Sequence, residues 1–111
     1  MQTTMTIDDD VLPQDDDLPR LDEDGLLRVG ERWVAIPDAQ LPVVALLVAR
    51  YRRLVRKDAL IAAYVEGGNS GHDASIRSLV ARVARRVDRL GLRLHTVRGR
   101  GVVLAPVDDD T

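Results

Sequence analysis

From Leu18 onward the apolar residues follow two rhythms. Residues 18–21 (LPRL), 26–29 (LLRV) and 32–36 (RWVAI) are short β-type runs, separated by the turn-forming DEDG (22–25) and GE (30–31). They predict a small antiparallel sheet. The rhythm then lengthens to that of a helix. Asp38 is placed to cap a helix running to about Arg52, with Leu41, Val44, Leu47 and Val48 on its buried side. Pro42 falls in its first turn, where a missing N–H matters least. A second helix over about residues 57–65 carries Leu60, Ile61 and Tyr64, and EGGNSGH (66–72) predicts a loop. Asp73 is placed to cap the longest helix, over about residues 74–90, which ends before Gly91. LRLHTV (92–97), an Arg/Gly turn and VVLAP (102–106) then read as a hairpin. The expected order is strands, three helices, hairpin, an α+β arrangement without internal repeats.

The longest helix has two unlike sides. On a helical projection Leu79, Leu90, Val83, Ile76, Val87 and Val80 fall within one arc of about 100°, an unbroken apolar stripe. The opposite side carries Arg77, Arg82, Arg85 and Arg89 around the small residues Ala74, Ser78 and Ala81, and Arg86 lies at the edge of the apolar stripe. A charged helix face is commonly just solvated, but such a face mixes acids with bases. Here Asp88 is the sole acid of that stretch, and most of the arginines lack an acid one turn away. The small residues would let the helix body approach another surface closely.

Charge is distributed unevenly along the chain. Residues 1–24 hold nine acids against Arg20, residues 25–107 hold fifteen bases against six acids, and Asp108–Asp110 follow. The formal net charge of −2 therefore conceals a domain of net +9 between acidic ends. A basic domain points toward nucleic acid. Fifteen of the sixteen bases are arginine, the better phosphate and base-edge ligand, although a GC-rich genome would give the same bias. Residues 1–17, with two Asp triplets and little to bury, read as a disordered acidic tail, residues 18–106 as the domain, and 107–111 as a short acidic tail. The first tail suits either solubility or weak internal imitation of DNA. Its polar start is unlike a signal peptide, and the longest apolar run, Val43–Ala49, is too short to span a bilayer. No membrane association is expected, and the expected location is the cytoplasm, on the nucleoid.

The hairpin turn carries the sharpest signal. In HTVRGRGVVL (95–104) two arginines alternate with two glycines between apolar strands. Glycine permits the positive φ of a tight turn. Arginine has no turn preference that explains its appearing twice. An ordinary exposed turn would favour Asn-Gly or Asp-Gly. Arginines projecting from a rigid hairpin suit a narrow minor groove or the phosphate backbone, while a neighbouring helix occupies the major groove.

HTVRGRGVVL is similar to the wing motif of OmpR/PhoB-type winged helix-turn-helix domains, the DNA-binding output modules of many two-component response regulators. IPDAQLPVVALLVARYRRLVRKDAL (36–60) resembles that family's first helix, linking turn and second-helix start. SIRSLVARVARRV (75–87) repeats the apolar spacing of its recognition helix. The resemblance spans roughly residues 18–106 and implies a winged helix-turn-helix: an N-terminal antiparallel sheet, three helices and a C-terminal wing. It implies DNA-facing positions at Ser75, Arg77, Ser78, Ala81, Arg82 and Arg85 on the recognition helix, and at Thr96, Arg98 and Arg100 on the wing. It implies that the loop 66–72, including Gly67, Gly68, Asn69 and Ser70, can touch RNA polymerase. The chain departs from the family pattern at Val102, where an aromatic follows the wing glycine, at Val65, where a Trp is common, and at Leu79 and Ala81, where a His or Asn reader is frequent. The acidic tail is too short for a receiver domain, so control by phosphorylation of one is not expected in this chain. Without that domain's dimer contact, the protein is expected to be a monomer or a weak oligomer on DNA.

Other chemistry is sparse. His72 and His95 are isolated, and with no Cys and no clustered carboxylates they predict neither a metal site nor a disulfide. GGNSG lacks the Lys-Ser/Thr of a phosphate loop, and the Asp triplets lack the spacing of a calcium loop. No cofactor and no enzymatic activity are expected. Trp33 and Tyr51 are expected in or near the core rather than as stacking platforms for single strands. The favoured reading is a stand-alone, sequence-preferring binder of double-stranded DNA that regulates transcription. Two readings remain beside it: a winged-helix module that binds polymerase or another regulator, and a nonspecific nucleoid-coating protein.

Overall fold

The computed structural model describes residues 18–68 and 73–107. The acidic segments at 1–17 and 108–111, and Asn69, Ser70 and His72, lie outside the described residues, as do the side chains of Asp73, Ala74 and Ser75.

The three N-terminal runs form an antiparallel sheet in the order β1 (Arg20–Leu21), β2 (Leu26–Val29), β3 (Arg32–Ala35). The DEDG turn is held by one carboxylate. Asp22 Oδ1 accepts the Asp24 and Leu26 backbone N–H groups at 2.9 and 3.0 Å, and Oδ2 accepts Arg28 Nε at 2.9 Å. These partners, the Leu26 N–H foremost and then Arg28, hold the Asp22 carboxyl below its ordinary pKa. Gly25, with φ of 82°, closes the turn. Alternation along β2 and β3 points Leu27 and Val34 inward. The same alternation turns Trp33 outward, 55% exposed opposite Arg28, so the expectation that it belongs to the core is wrong. Tyr51 does pack against the core, half-buried.

The first helix differs from its prediction at both ends. Pro37 takes the extended cap position without a side-chain cap bond, so Asp38 becomes the first residue of a 3-10 turn, Asp38–Gln40, instead of its cap. The helix proper, α1, spans Leu41–Ala49, with Pro42 in its first turn and Val43, Val44 and Leu47 buried. It stops short of Arg52 because the chain reverses there. Arg52 has φ of 69°, and its N–H donates to the Leu104 carbonyl at 2.8 Å. That bond lays the following residues beside the C-terminal hairpin as β4 (Leu54–Arg56), a strand absent from the expected order. Three residues between two helical patterns carry too little periodicity to announce a strand.

Next come α2 (Lys57–Glu66) and α3 (Asp73–Asp88), then β5 (Leu92–Val97) and β6 (Gly101–Pro106). β6 lies between β4 and β5, antiparallel to both. α3 gives way to a turn at Arg89–Gly91 rather than reaching Leu90, although Leu90 remains buried. The core is joined from both sheets and all three helices, including Leu27, Val44, Leu47, Leu60, Leu79, Val83, Val87, Leu92 and Leu104. It is aliphatic except for Tyr64. Among the described residues no helix is long and apolar enough to cross a membrane.

Candidate nucleic-acid interface

The two sides of α3 are as unlike in space as in sequence. Ile76, Leu79, Val83 and Val87 are buried, whereas Arg77, Ser78, Ala81, Arg82, Arg85 and Arg89 are exposed. Residues three and four apart share a face. Ser78, Arg82, Arg85 and Arg89 therefore form one outward row, and Arg77, Ala81 and Ala84 form the row beside it. Val80, expected in the buried stripe, is half-buried and helps floor the groove described below. Arg86, expected at the edge of the apolar stripe, is partly buried there. Its Nη1 donates to the Ala35 carbonyl of β3 at 3.2 Å, tying the helix to the N-terminal sheet.

The wing is a three-residue turn, 98–100, between β5 and β6. The Arg100 N–H donates to the Val97 carbonyl at 2.9 Å, and Gly99 between them has φ of 76°, the demand of a type II turn. Gly101 serves a different purpose. A Cβ there would collide with the Val55 carbonyl oxygen of β4, so its lack of a side chain is what lets β4 and β6 pair at this point. The Lys57 N–H then donates to the Arg100 carbonyl at 3.2 Å, fastening the wing to the start of α2. Arg98 and Arg100 are exposed on that braced turn.

Helix and wing meet at a groove of about 650 Å³. Arg77 and Ala81 of α3 line it together with Thr96 and Arg100 of the wing. Four of the DNA-facing positions expected from the sequence are thus brought to one place. Ser78, Arg82 and Arg85 are exposed on the helix outside the groove lining, as is Arg98 at the wing tip. Ser75 lies in the first turn of α3, and its side chain is outside the described residues. Lys57 also lines the groove, and Arg56 and Lys57 line a smaller depression beside Gly99 and Arg100. Neither base was anticipated. Their signal was the basic run 50–57 (RYRRLVRK), whose placement depends on the unpredicted β4. Among the described residues no acidic side chain lines the main groove, whereas Asp58 joins Arg56 and Lys57 in the smaller depression.

The other expected contact lies elsewhere. Gly67 and Gly68 follow α2, with Val65 exposed just before them, and Asn69 and Ser70 lie outside the described residues. His95 is half-buried on β5 opposite Val103. Among the described residues no three His, Cys, Asp or Glu side chains are grouped to hold a metal ion.

No family profile and no curated protein matches this sequence. Solved structures do match. The C-terminal domain of the nisin resistance regulator NsrR, a lantibiotic response regulator, superposes with a TM-score of 0.67 at 22% identity, covering 78% of this chain and 90% of that one. The DNA-binding domain of the response regulator AdeR, in complex with an intercistronic region, superposes with a TM-score of 0.65 at 15% identity, covering 80% of this chain and 95% of that one. The chain has the winged-helix fold of these response-regulator domains.

Proposed function

We propose that this protein binds double-stranded DNA with sequence preference and regulates transcription, α3 entering the major groove and the wing lying on the backbone or in the minor groove. The observation that carries this reading is the cationic junction of helix and wing, where Arg77, Arg100 and Lys57 surround one groove while Arg82, Arg85 and Arg98 extend the positive surface outward. Arginine is suited to both roles, bidentate to guanine edges or to phosphate. Exposed Ser78 and Ala81 let the α3 backbone approach closely, and the bond from Lys57 to Arg100 braces the wing at a set distance from the helix. AdeR's domain, of the same fold, was solved on DNA, which supports the assignment. The segment beyond Val65, including Gly67, Gly68, Asn69 and Ser70, is assigned in this reading as a contact for RNA polymerase, supported by the exposed apolar Val65 beside it.

Genome-wide occupancy of the tagged protein tests the reading. Sharp peaks sharing a motif are expected. A signal spread evenly over the genome would instead identify a coating protein. A signal confined to active promoters and lost when transcription stops would identify a polymerase-bound module.

A further inference from the structure

The groove between α3 and the wing is chemically odd for a surface that meets only phosphate. Its rim is cationic, with Lys57, Arg77 and Arg100, but Val80, Leu94 and Val97 form an apolar floor. A DNA backbone satisfies the rim and leaves the floor uncovered. An occupant matching both would carry acids beside aliphatic groups. The chain contains such a segment in residues 7–12 (IDDDVL), where Asp8–Asp10 lie between Ile7 and the pair Val11–Leu12. Residues 1–17 hold six acids and no base, facing a domain, residues 18–107, of net +7.

We propose that residues 7–12 of the same chain dock in this groove, the Asp triplet on the cationic rim and Ile7, Val11 and Leu12 toward the apolar floor, in competition with DNA. The competitive part rests on the DNA-binding reading above; the docking does not. The segment is tethered close to the domain: from Leu18 back to Leu12 six residues can extend to roughly 20–22 Å, and back to Ile7 eleven residues to roughly 36–40 Å. A tethered segment faces its site at an effective concentration of about millimolar, so a weak contact suffices. The groove also lies within the size range, roughly 300–1,000 Å³, that encloses a compact ligand group.

The chain has no cysteine, so Thr4→Cys in the full-length protein accepts one nitroxide label next to the segment while keeping every acid. In low salt without DNA, the amide signals of Val80, Ala84, Leu94 and Val97 should lose more than half their intensity, and those of Arg28 and Trp33 should not. Val11→Ser with Leu12→Ser, which leaves the charge intact, should restore at least half of that loss. Broadening spread evenly over the basic surface, broadening unchanged by the serine substitutions, or broadening in an unlabelled chain mixed with a labelled one would each overturn intramolecular docking. A DNA duplex should then return the signals to full intensity. Duplex that binds and leaves the broadening in place would overturn the competition. Duplex that does not bind at all would overturn the DNA reading while the docking result stands.

Discussion

Gly99 and Gly101 lie two residues apart in the wing and answer different demands. At Gly99 the demand is a positive φ with open space around it, so Gly99→Ala should cost about 1–2 kcal/mol, the usual penalty for a left-handed L-residue. At Gly101 the new methyl meets the backbone of β4, which cannot move without breaking the sheet. Gly101→Ala should therefore cost more than about 3 kcal/mol, in the range of severe overpacking. Urea unfolding of the two variants checks this, and equal losses would contradict it. The repeat RGRG was legible as a wing, but that its second glycine exists for β4 was not, because β4 itself was hidden. Asp22 shows the same limit: DEDG was readable as a turn, whereas the three donors on one carboxylate emerge only once β2 has brought Arg28 back. With its folded pKa below the unfolded value, Asp22 contributes stability that is full above the ordinary carboxylate pKa and is lost as pH falls through the lowered one. An NMR titration should place its midpoint below that of aspartate in a short peptide. Equal midpoints would refute the turn's hydrogen bonding.

At the scale of elements, the strong periodic signals survived and the weak ones were overruled by neighbours. Helix α3 was legible as a two-sided element because sixteen residues repeat the pattern several times over, although it ends at Asp88 and leaves Val80 half-buried. Trp33 was misplaced because its strand has four residues and an aromatic side chain biases any short reading toward burial, while alternation with Val34 decides otherwise. Arg86, which the projection placed at the edge of the apolar stripe, ties that edge to the N-terminal sheet. Helix and wing should also differ in what their arginines do. Wing contacts read shape and backbone, so Arg98→Ala and Arg100→Ala should weaken binding to most duplexes alike. Arg77→Ala or Arg82→Ala should relax sequence preference as well, by about 1–3 kcal/mol where the lost contact is bidentate to guanine. Selection of bound duplexes from a random pool, run on each variant, separates the two. A sequence logo unchanged in both helix variants would place the readers elsewhere.

For the molecule as a whole, the charge asymmetry is the property most visible in sequence and the one with the widest consequence. A net −2 chain binds polyanions only if positive charge is concentrated locally, and the fold brings Lys57, Arg77 and Arg100 together at the junction of α3, the wing and the start of α2. Deleting residues 1–17 should tighten binding to random DNA more than binding to a preferred site, because specific contacts add free energy that an acidic segment cannot imitate. The gain should shrink as salt screens the segment. Equal affinities for full-length and shortened protein at low salt would remove the acidic segment from the account. The salt dependence of the intact protein's own affinity tests the central claim most directly. If the helix and wing arginines together neutralise about five phosphates, log K should fall against log salt with a slope of about −4 to −5. A slope shallower than about −1.5 would mean that fewer than about two phosphates are engaged, and the interface proposed for α3 and the wing would not be the one that meets DNA.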